Sequence, residues 1–420
     1  MENEFNFPEE ERNKGNLIVD AKLDRNKKVE DRFNVNMTLT YTGTYDEVSD
    51  WVSKTVLSGT DEFDLLMGML ISSGNLVKKN LFLNWYDIEH IDFSKAWWAK
   101  SNTDELTYNG VCALAISDFN YSSIASTYCM VFNKDLAAAY EMGDIYSIVL
   151  DGKWTFDKLT ELVKGIWIDN GNDTADNGDF YGMAHGNGSQ VNTYLWAFDN
   201  PVCKKDEEGV PKIAIKTDKI DSIVNGIYDL IYNTGGVYYE PHAVSGSSYA
   251  SDMFFAKKAI FTPAQLAFPT GENARNFDNE YGLLPYPKWD ENQQNYHTMA
   301  DGFHTCLAVP KTCRDTDFVG RIVEALSAES WKTVTPTFYE IALKTRYLRD
   351  NESKEVLDII IDGRVFDFGY VYDGFQGYSF TIQRMMQAKN NNFMSEYNRL
   401  YSSARLQYKM VVKAFDKMAS

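Results

Sequence analysis

The sequence predicts an α/β protein of two domains, because the chain is long, rich in apolar residues and opens with strand-like and helix-like segments in alternation. Its 420 residues exceed what one hydrophobic core usually serves. Hydrophobic residues make up 44% of the chain and aromatic residues 14%, which excludes global disorder. We therefore expect two folded units.

The first seventy residues have the pattern of a β-α-β-α-β unit. Apolar spacing predicts a strand at Leu17–Val19, a polar helix at Lys27–Phe33 and an alternating strand at Val35–Tyr41. It then predicts a helix at Tyr45–Leu57, ended by the Ser-Gly pair that follows, and a strand buried on both faces at Leu65–Ile71. Such an opening is typical of a parallel sheet.

Later segments continue the alternation and then become helical. We expect Thr155 to cap a helix over Phe156–Trp167, and Thr217 or Asp218 to cap the helix whose apolar residues recur from 220 to 231. Five further strands are predicted at Val111–Ile116, Tyr128–Phe132, Phe180–Ala184, Tyr281–Pro287 and Cys306–Pro310. A long helix is expected at the end of the chain, from 393 to 415.

The segment Ser251–Ala267 is expected to carry the chain from the second domain back to the first. A helix-like half comes first, followed by an apolar run of strand character at Ala259–Phe261. Pro263 is expected to close that strand, because proline cannot donate to a ladder. Only Gln265, just past this break, is a candidate for ligand contact.

The charge and the ends of the chain narrow the function. A net charge of −19 argues against nucleic acid and against an anionic membrane surface as partner. No apolar run approaches the roughly 18 residues that a spanning helix needs. The acidic N-terminal stretch lacks the features of a signal peptide, which leaves either a cytoplasmic protein or an exported one whose signal is outside this sequence.

Neither a catalytic motif nor a metal-ligand pattern occurs. The five cysteines form no CxxC pair and the five histidines have no metal-ligand spacing, so we expect no zinc site and no cofactor; Cys306 and Cys313 are left as one pair open to oxidation outside the cell. The acidic loop Asp169–Asp179 fits an EF-hand in neither of two registers and is interpreted as a solvated turn.

The chain is unusually rich in aromatic residues, with nine Trp, 26 Tyr and 25 Phe. Those that lie beside polar residues are the most informative about function. Flat apolar rings next to amide and carboxylate groups suit a sugar, whose C–H face stacks while its hydroxyls need donors and acceptors. The cleft candidates chosen on this basis are Trp85, Asp118, Phe119, Asn120, Trp196, Gln265, Trp289, Asp301 and Phe303.

An ordered set of segments resembles one transport family. These segments are Phe63–Leu66 (FDLL), Tyr128–Leu136 (YCMVFNKDL), Trp154–Leu159 (WTFDKL), Asp179–Met183 (DFYGM), Phe254–Ala259 (FFAKKA) and Tyr281–Pro287 (YGLLPYP). Together they resemble the extracellular solute-binding proteins of bacterial ABC transporters, the maltose-binding-protein-like family 1, although Lys257 stands where that family usually has glycine.

This resemblance implies a two-lobed fold of the type II periplasmic-binding-protein kind, with mixed, mainly parallel sheets flanked by helices and a cleft that the chain crosses three times. Lobe 1 would hold residues 1–130 and 263–312, and lobe 2 residues 131–262 and 313–420. The implied protein is a monomer without enzymatic activity that binds a carbohydrate, expected to be an oligosaccharide, by hinge closure and delivers it to a permease.

The resemblance also implies a periplasmic protein or a cell-surface lipoprotein, with an export signal and lipid anchor outside this sequence. Two alternatives stay open. One is a binding protein for a non-sugar solute such as a peptide, and the other is an enzyme that acts on a polysaccharide, since sixty acidic residues supply many carboxylate pairs.

Overall fold

The structure is a computed structural model that describes residues 4–5, 9–41, 43–240, 249–344, 351–373 and 377–420. No helix in these ranges is both long and apolar enough to cross a membrane. Helices α1 to α9 are Leu17–Phe33, Tyr45–Ser58, Leu70–Val77, Lys100–Leu106, Tyr121–Ala125, Lys134–Ala139, Ile145–Leu150, Phe156–Val163 and Gln190–Ala197. Helices α10 to α18 are Ile220–Tyr232, Tyr249–Phe255, Glu272–Asn276, Thr316–Lys332, Val334–Lys344, Asn351–Asp362, Phe368–Asp373, Thr381–Gln387 and Phe393–Ala419.

The strands are short and most are buried. Strands β1 to β6 are Leu66–Met69, Tyr128–Asn133, Trp167–Ile168, Phe180–His185, Cys203–Lys205 and Pro211–Ile213. Strands β7 to β12 are Val237–Tyr239, Ala259–Gln265, Tyr281–Leu284, Thr298–Met299, Thr305–Ala308 and Arg364–Val365. The largest sheet has the order β3-β4-β8-β2-β9, with β7 also paired to β4.

The sheets are of mixed orientation, but the expectation of mainly parallel pairing is wrong. Strand β4 runs parallel to β7 and β8, and β10 runs parallel to β12. The other described pairs are antiparallel, including β2 with both β8 and β9. The reason is that the chain repeatedly crosses and returns, so that consecutive sheet members often run in opposite directions.

Two predictions for the start of the chain are wrong. Residues Leu17–Val19 begin helix α1, because the Asn16 side chain accepts hydrogen bonds from the backbone N–H groups of Ile18 and Val19. The alternating segment 35–41 is assigned to neither a strand nor a helix. The predicted strand Leu65–Ile71 is shorter than expected, since helix α3 begins at Leu70, and β1 pairs antiparallel with β11.

Of the two predicted helix caps, one is confirmed and one is wrong. Thr155 caps α8 as expected, at 3.2 Å from the Lys158 N–H to its hydroxyl, although the helix ends at Val163. Helix α10 instead begins after Lys219 without a side-chain cap. The hydroxyl of Thr217 donates to the amide oxygen of Asn200, so it does not serve the helix.

Three chain segments meet at one point of the fold, which we call the waist. Thr127 bridges Ala300, and the Leu266 N–H donates to the Thr127 carbonyl at 2.9 Å. Next to them, the Asp301 N–H donates to the Ser126 carbonyl at 2.9 Å. These contacts join the segments 125–128, 264–267 and 300–302.

Pro263 does not end its strand. It lies within β8, opposite Met130 of β2, and the strand continues to Gln265. The predicted break at this residue is therefore wrong. A strand tolerates a proline where the neighbouring strand does not require the missing N–H.

The lobe boundaries remain a prediction. Strand β9 lies in the second predicted segment of lobe 1, residues 263–312, yet it pairs in the largest sheet with β2, which spans the predicted boundary at residue 130. Helix α13, assigned to lobe 2 from the sequence, packs against α1. These contacts favour a division in which β9 belongs with the largest sheet and α13 with the first lobe.

All five cysteines lie in the described ranges and are free and buried. Cys306 is in β11, and Cys313 follows it in the next turn. The pairing of these two thiols, left open from the sequence, is not formed.

Candidate ligand-binding site

A cavity of about 530 Å³ opens beside the waist, within the range of small-molecule sites. It forms where β8 leaves the largest sheet and the chain turns into α12. Its lining residues are Tyr128, Gln190, Ser251, Phe255, Pro263, Ala264, Gln265, Ala267, Phe268, Gly271, Glu272, Asn273 and Ala274.

Two glutamines line this cavity from different elements. Gln265 is the last residue of β8, opposite Tyr128, and Gln190 is the first residue of α9. The backbone carbonyl of Gln190 accepts a hydrogen bond from the Tyr286 hydroxyl at 3.1 Å, which fixes the start of the helix. Within the described residues neither amide side chain has a hydrogen bond, so each keeps two donors and an acceptor for a ligand.

An aromatic wall stands beside these amides. The rings of Phe255 and Phe268 are stacked at 4.9 Å with an angle of 7° between their planes. Phe268 also meets Tyr281 edge to face at 5.6 Å, which anchors the wall to β9. Both phenylalanines are half-buried, so part of each ring remains available for contact.

Charge in the cavity is sparse and negative. Among the described lining residues Glu272 supplies one carboxylate, and there is no basic side chain. Amide, hydroxyl and carboxylate groups beside rings can bind a neutral polyhydroxy compound, whose hydroxyls both donate and accept. A phosphate would find no cation here.

Behind the wall, a buried hydrogen bond orients Tyr128. Its hydroxyl donates to a carboxylate oxygen of Asp301, whose other oxygen accepts the N–H of Phe303 at 3.0 Å. Burial raises the pKa of both the Asp301 carboxyl and the Tyr128 phenol. Asp301 is therefore a residue of the waist that supports the cavity from behind.

Of the nine residues predicted from the sequence, Gln265 lines the cavity. Four others are enclosed by protein and offer a ligand almost no surface: Trp85, Phe119, Asn120 and Trp196 are at most 2% exposed. The indole N–H of Trp85 donates to the Leu307 carbonyl at 3.1 Å, and that of Trp196 to Asp367 at 2.8 Å.

The same packing accounts for Phe119 and Asn120. The guanidinium of the buried Arg25 lies 4.6 Å above the Phe119 ring. The Asn120 amide donates to the Thr305 hydroxyl at 3.0 Å and accepts from the Ser117 N–H. These residues belong to the protein interior, and we do not include them in the site.

Three more predicted residues lie apart from the cavity lining. Asp118 is half-buried and accepts a hydrogen bond from the Thr335 hydroxyl. Trp289 stacks on Phe156 at 5.9 Å. Phe303 is 43% exposed and forms an edge-to-face contact with Tyr45 at 6.4 Å.

Sequence reasoning missed Gln190, Phe268, Glu272 and Asn273. The search for aromatic residues flanked by polar ones favoured tryptophans, which the fold uses in its interior. Gln190 and Glu272 could have been found as polar residues at helix starts, but nothing in the local sequence brings them together across more than eighty residues.

One group of potential metal ligands lies elsewhere on the surface. Atoms of Glu89, His90 and Asp317 lie within 4.8 Å of one another. However, the Asp317 carboxylate is already contacted by two nitrogens of Arg321, at 3.0 and 3.1 Å, and by Nε2 of His90 at 2.8 Å. This arrangement is complete as an ion-pair network, and we assign no metal to it.

Comparison with solved structures shows the fold. The GacH receptor of Streptomyces glaucescens, solved unliganded and with acarbose, matches with a TM-score of 0.60 at 12% identity over 96% of both chains. A solute-binding protein of Thermotoga lettingae bound to α-D-tagatose matches with a TM-score of 0.57 at 14% identity over 96% of this chain and 97% of that one.

The chain has the fold of ABC transporter solute-binding proteins. A third match is UgpB of Mycobacterium tuberculosis in complex with glycerophosphocholine, with a TM-score of 0.55 at 14% identity over 94% of this chain and 96% of that one. No protein-family model matches the sequence, and no curated protein matches it either. The predicted resemblance is thus confirmed by the architecture.

Proposed function

We propose that the protein is the solute-binding component of an ABC transporter and that its ligand is a carbohydrate held in the cavity beside the waist. The observation that carries this proposal is the pair of unpaired amides, Gln190 and Gln265, facing one cavity beside the stacked Phe255 and Phe268. An oligosaccharide would place a sugar face on these rings and its hydroxyls on the amides.

The position of the cavity suggests how the ligand acts. Gln265 lies at the waist in β8 of the largest sheet, whereas Gln190 belongs to α9, which packs against β10 and α17. A ligand that contacts both elements stabilises the arrangement in which they are close, which is the basis of hinge closure. A permease would then recognise the closed form. The protein would act outside the membrane, held there by a lipid anchor that sequence beyond this chain supplies.

Two alternatives are less well supported. A retaining or inverting glycosidase needs two carboxylates about 5 to 9.5 Å apart, and the described lining supplies only Glu272. A phosphodiester such as the ligand of UgpB would need a positive contact for its phosphate, which the lining does not offer.

The test is a titration of neutral mono- and oligosaccharides, peptides and glycerophosphocholine, followed by tryptophan fluorescence and thermal unfolding. Gln265→Ala is expected to raise the dissociation constant for the best sugar about tenfold, because it removes hydrogen bonds to the ligand. This change is equivalent to about 1.4 kcal/mol of binding free energy. Gln190→Ala should behave similarly.

The matched control is Gln294→Ala, an exposed amide outside the cavity. It should leave sugar affinity unchanged, and all three variants should retain the melting temperature of the free protein. A peptide or glycerophosphocholine that binds while no sugar does would overturn the carbohydrate assignment.

A further inference from the structure

The solvent face of helix α18 carries a row of cations that winds gradually around the helix. Arg405, Lys409, Lys413 and Lys417 recur every four residues and are all exposed. With a rise of 1.5 Å per residue, neighbouring members start about 6 Å apart and the row extends about 18 Å. We call these four residues the cationic stripe.

No member of the stripe forms an ion pair within the described part of the chain. The helix has two acidic residues: Glu396 pairs with Arg399 at 2.6 Å, and Asp416, the one carboxylate near the stripe on this helix, accepts a hydrogen bond from the amide of Asn109 at 3.1 Å. Such a row of cations is unusual in a chain with a net charge of −19.

Neighbouring elements add positive charge. Lys78, after helix α3, donates to the Gln407 side chain at 2.8 Å. Lys311 is a further cation near the stripe. Partial desolvation and the nearby charge of Lys417 lower the pKa of Lys311. The basic surface therefore extends from α18 onto the adjoining loops.

Two exposed apolar side chains lie among these cations. Leu406 is 60% exposed and Met410 is 49% exposed, one turn apart on the same helix. They are not required by the core, because α18 packs inward through Leu400, Ala404, Val411 and Phe415. Their position on the outer face has no explanation in the packing of the protein.

We propose that this face of α18 docks on an anionic lipid surface, with the cationic stripe at the headgroups and Leu406 and Met410 inserted between them. Evenly spaced cations on a convex helix fit a laterally mobile layer of negative headgroups, and apolar side chains beside them add burial.

The overall negative charge does not prevent this docking. At about 0.1 M ionic strength the Debye length is about 10 Å, so acidic groups on distant faces are screened from the surface. The interaction should therefore be weak, strongly dependent on salt and limited to one orientation. It goes beyond the proposed function and does not depend on which solute is bound.

The test is co-sedimentation of the protein with vesicles of phosphatidylcholine alone or with 30% phosphatidylglycerol, at 50 and 500 mM salt. Binding is expected on the anionic vesicles at low salt and at least tenfold less on neutral vesicles or at high salt. R405Q/K409Q/K413Q/K417Q should reduce binding to anionic vesicles at least tenfold, and L406S/M410S at least threefold.

The control K27Q/K54Q/K100Q/K164Q changes the net charge equally on other exposed sites and should alter binding less than twofold. Equal losses in both quadruple variants, or no preference of the wild type for anionic vesicles, would overturn the proposal. Circular dichroism of each variant excludes unfolding, and unchanged ligand titrations separate this result from the fate of the proposed function.

Discussion

At the scale of single residues, Asp118 should make stability depend on pH. Burial raises the pKa of its carboxyl to about 6, against the opposing effects of the Thr335 hydroxyl and Arg364. Between about pH 4 and 6 the folded protein therefore holds a proton that the unfolded chain releases, so this residue's contribution to the free energy of unfolding falls as the pH rises.

Asp118→Asn removes that dependence. The difference in the free energy of unfolding, variant minus wild type, should increase by about 2 kcal/mol as the pH rises from 4 to 7, as a pKa shift of this size implies. Urea denaturation at the two pH values measures the difference. A constant gap between the two proteins would show that Asp118 titrates normally.

Lys22 tests a buried ion pair. Its ammonium lies 3.2 Å from the Glu4 carboxylate, both groups being almost fully buried, and 4.6 Å above the Tyr121 ring. Lys22→Met should destabilise the protein by about 3 to 5 kcal/mol, because it leaves a buried carboxylate without its cation.

The exposed neighbour Lys27 provides the control on the same helix. Lys27→Met should change the free energy of unfolding by less than about 0.5 kcal/mol. Chemical denaturation at pH 7 compares them, and similar losses in both variants would mean that helix α1, rather than the ion pair, is sensitive to the change.

At the scale of elements, Gly236 lets β7 approach the end of α8. A Cβ atom at this position would lie 1.7 Å from the Val163 carbonyl oxygen, which is backbone and cannot move aside cheaply. Gly236→Ala should cost about 2 kcal/mol or more through this overpacking. Gly271→Ala is the control, because its Cβ would meet only the Phe268 carbonyl at 3.4 Å; thermal unfolding should separate the two variants.

Local patterns predicted some elements well. Helix α2, with Gly59 as its C-cap, and strand β2, followed by a helix that Asn133 caps, follow from short-range apolar spacing and capping residues. The early segment Leu17–Val19 was mistaken for a strand because three apolar residues in a row fit either structure, and the Asn16 cap decided the outcome.

Long-range contacts limited the prediction of the site. Gln265 was identified because it follows the crossing segment, but Gln190 faces the same cavity only through tertiary packing. Trp85 and Trp196 looked like ligand contacts because their polar neighbours are visible in the sequence, whereas the carbonyl and carboxylate that accept their N–H groups lie more than 170 residues away.

At the scale of the whole molecule, closure should be measurable. A ligand at 100 times its dissociation constant is expected to add about 2.7 kcal/mol to the free energy of unfolding. Because contacts with both sides of the waist are needed, the radius of gyration in small-angle scattering should fall at the same ligand concentrations. A stability gain without compaction would indicate binding to one side alone.

The five enclosed sulfurs have a practical consequence for watching the protein move. Burial raises the pKa of the Cys112 and Cys306 thiols to about 12, so at neutral pH they are protonated as well as inaccessible. A thiol-reactive dye can label them only when the chain around them parts, and its slow uptake would time those openings. The cysteines thus act as reporters distributed through the interior, ready for use without engineering a label.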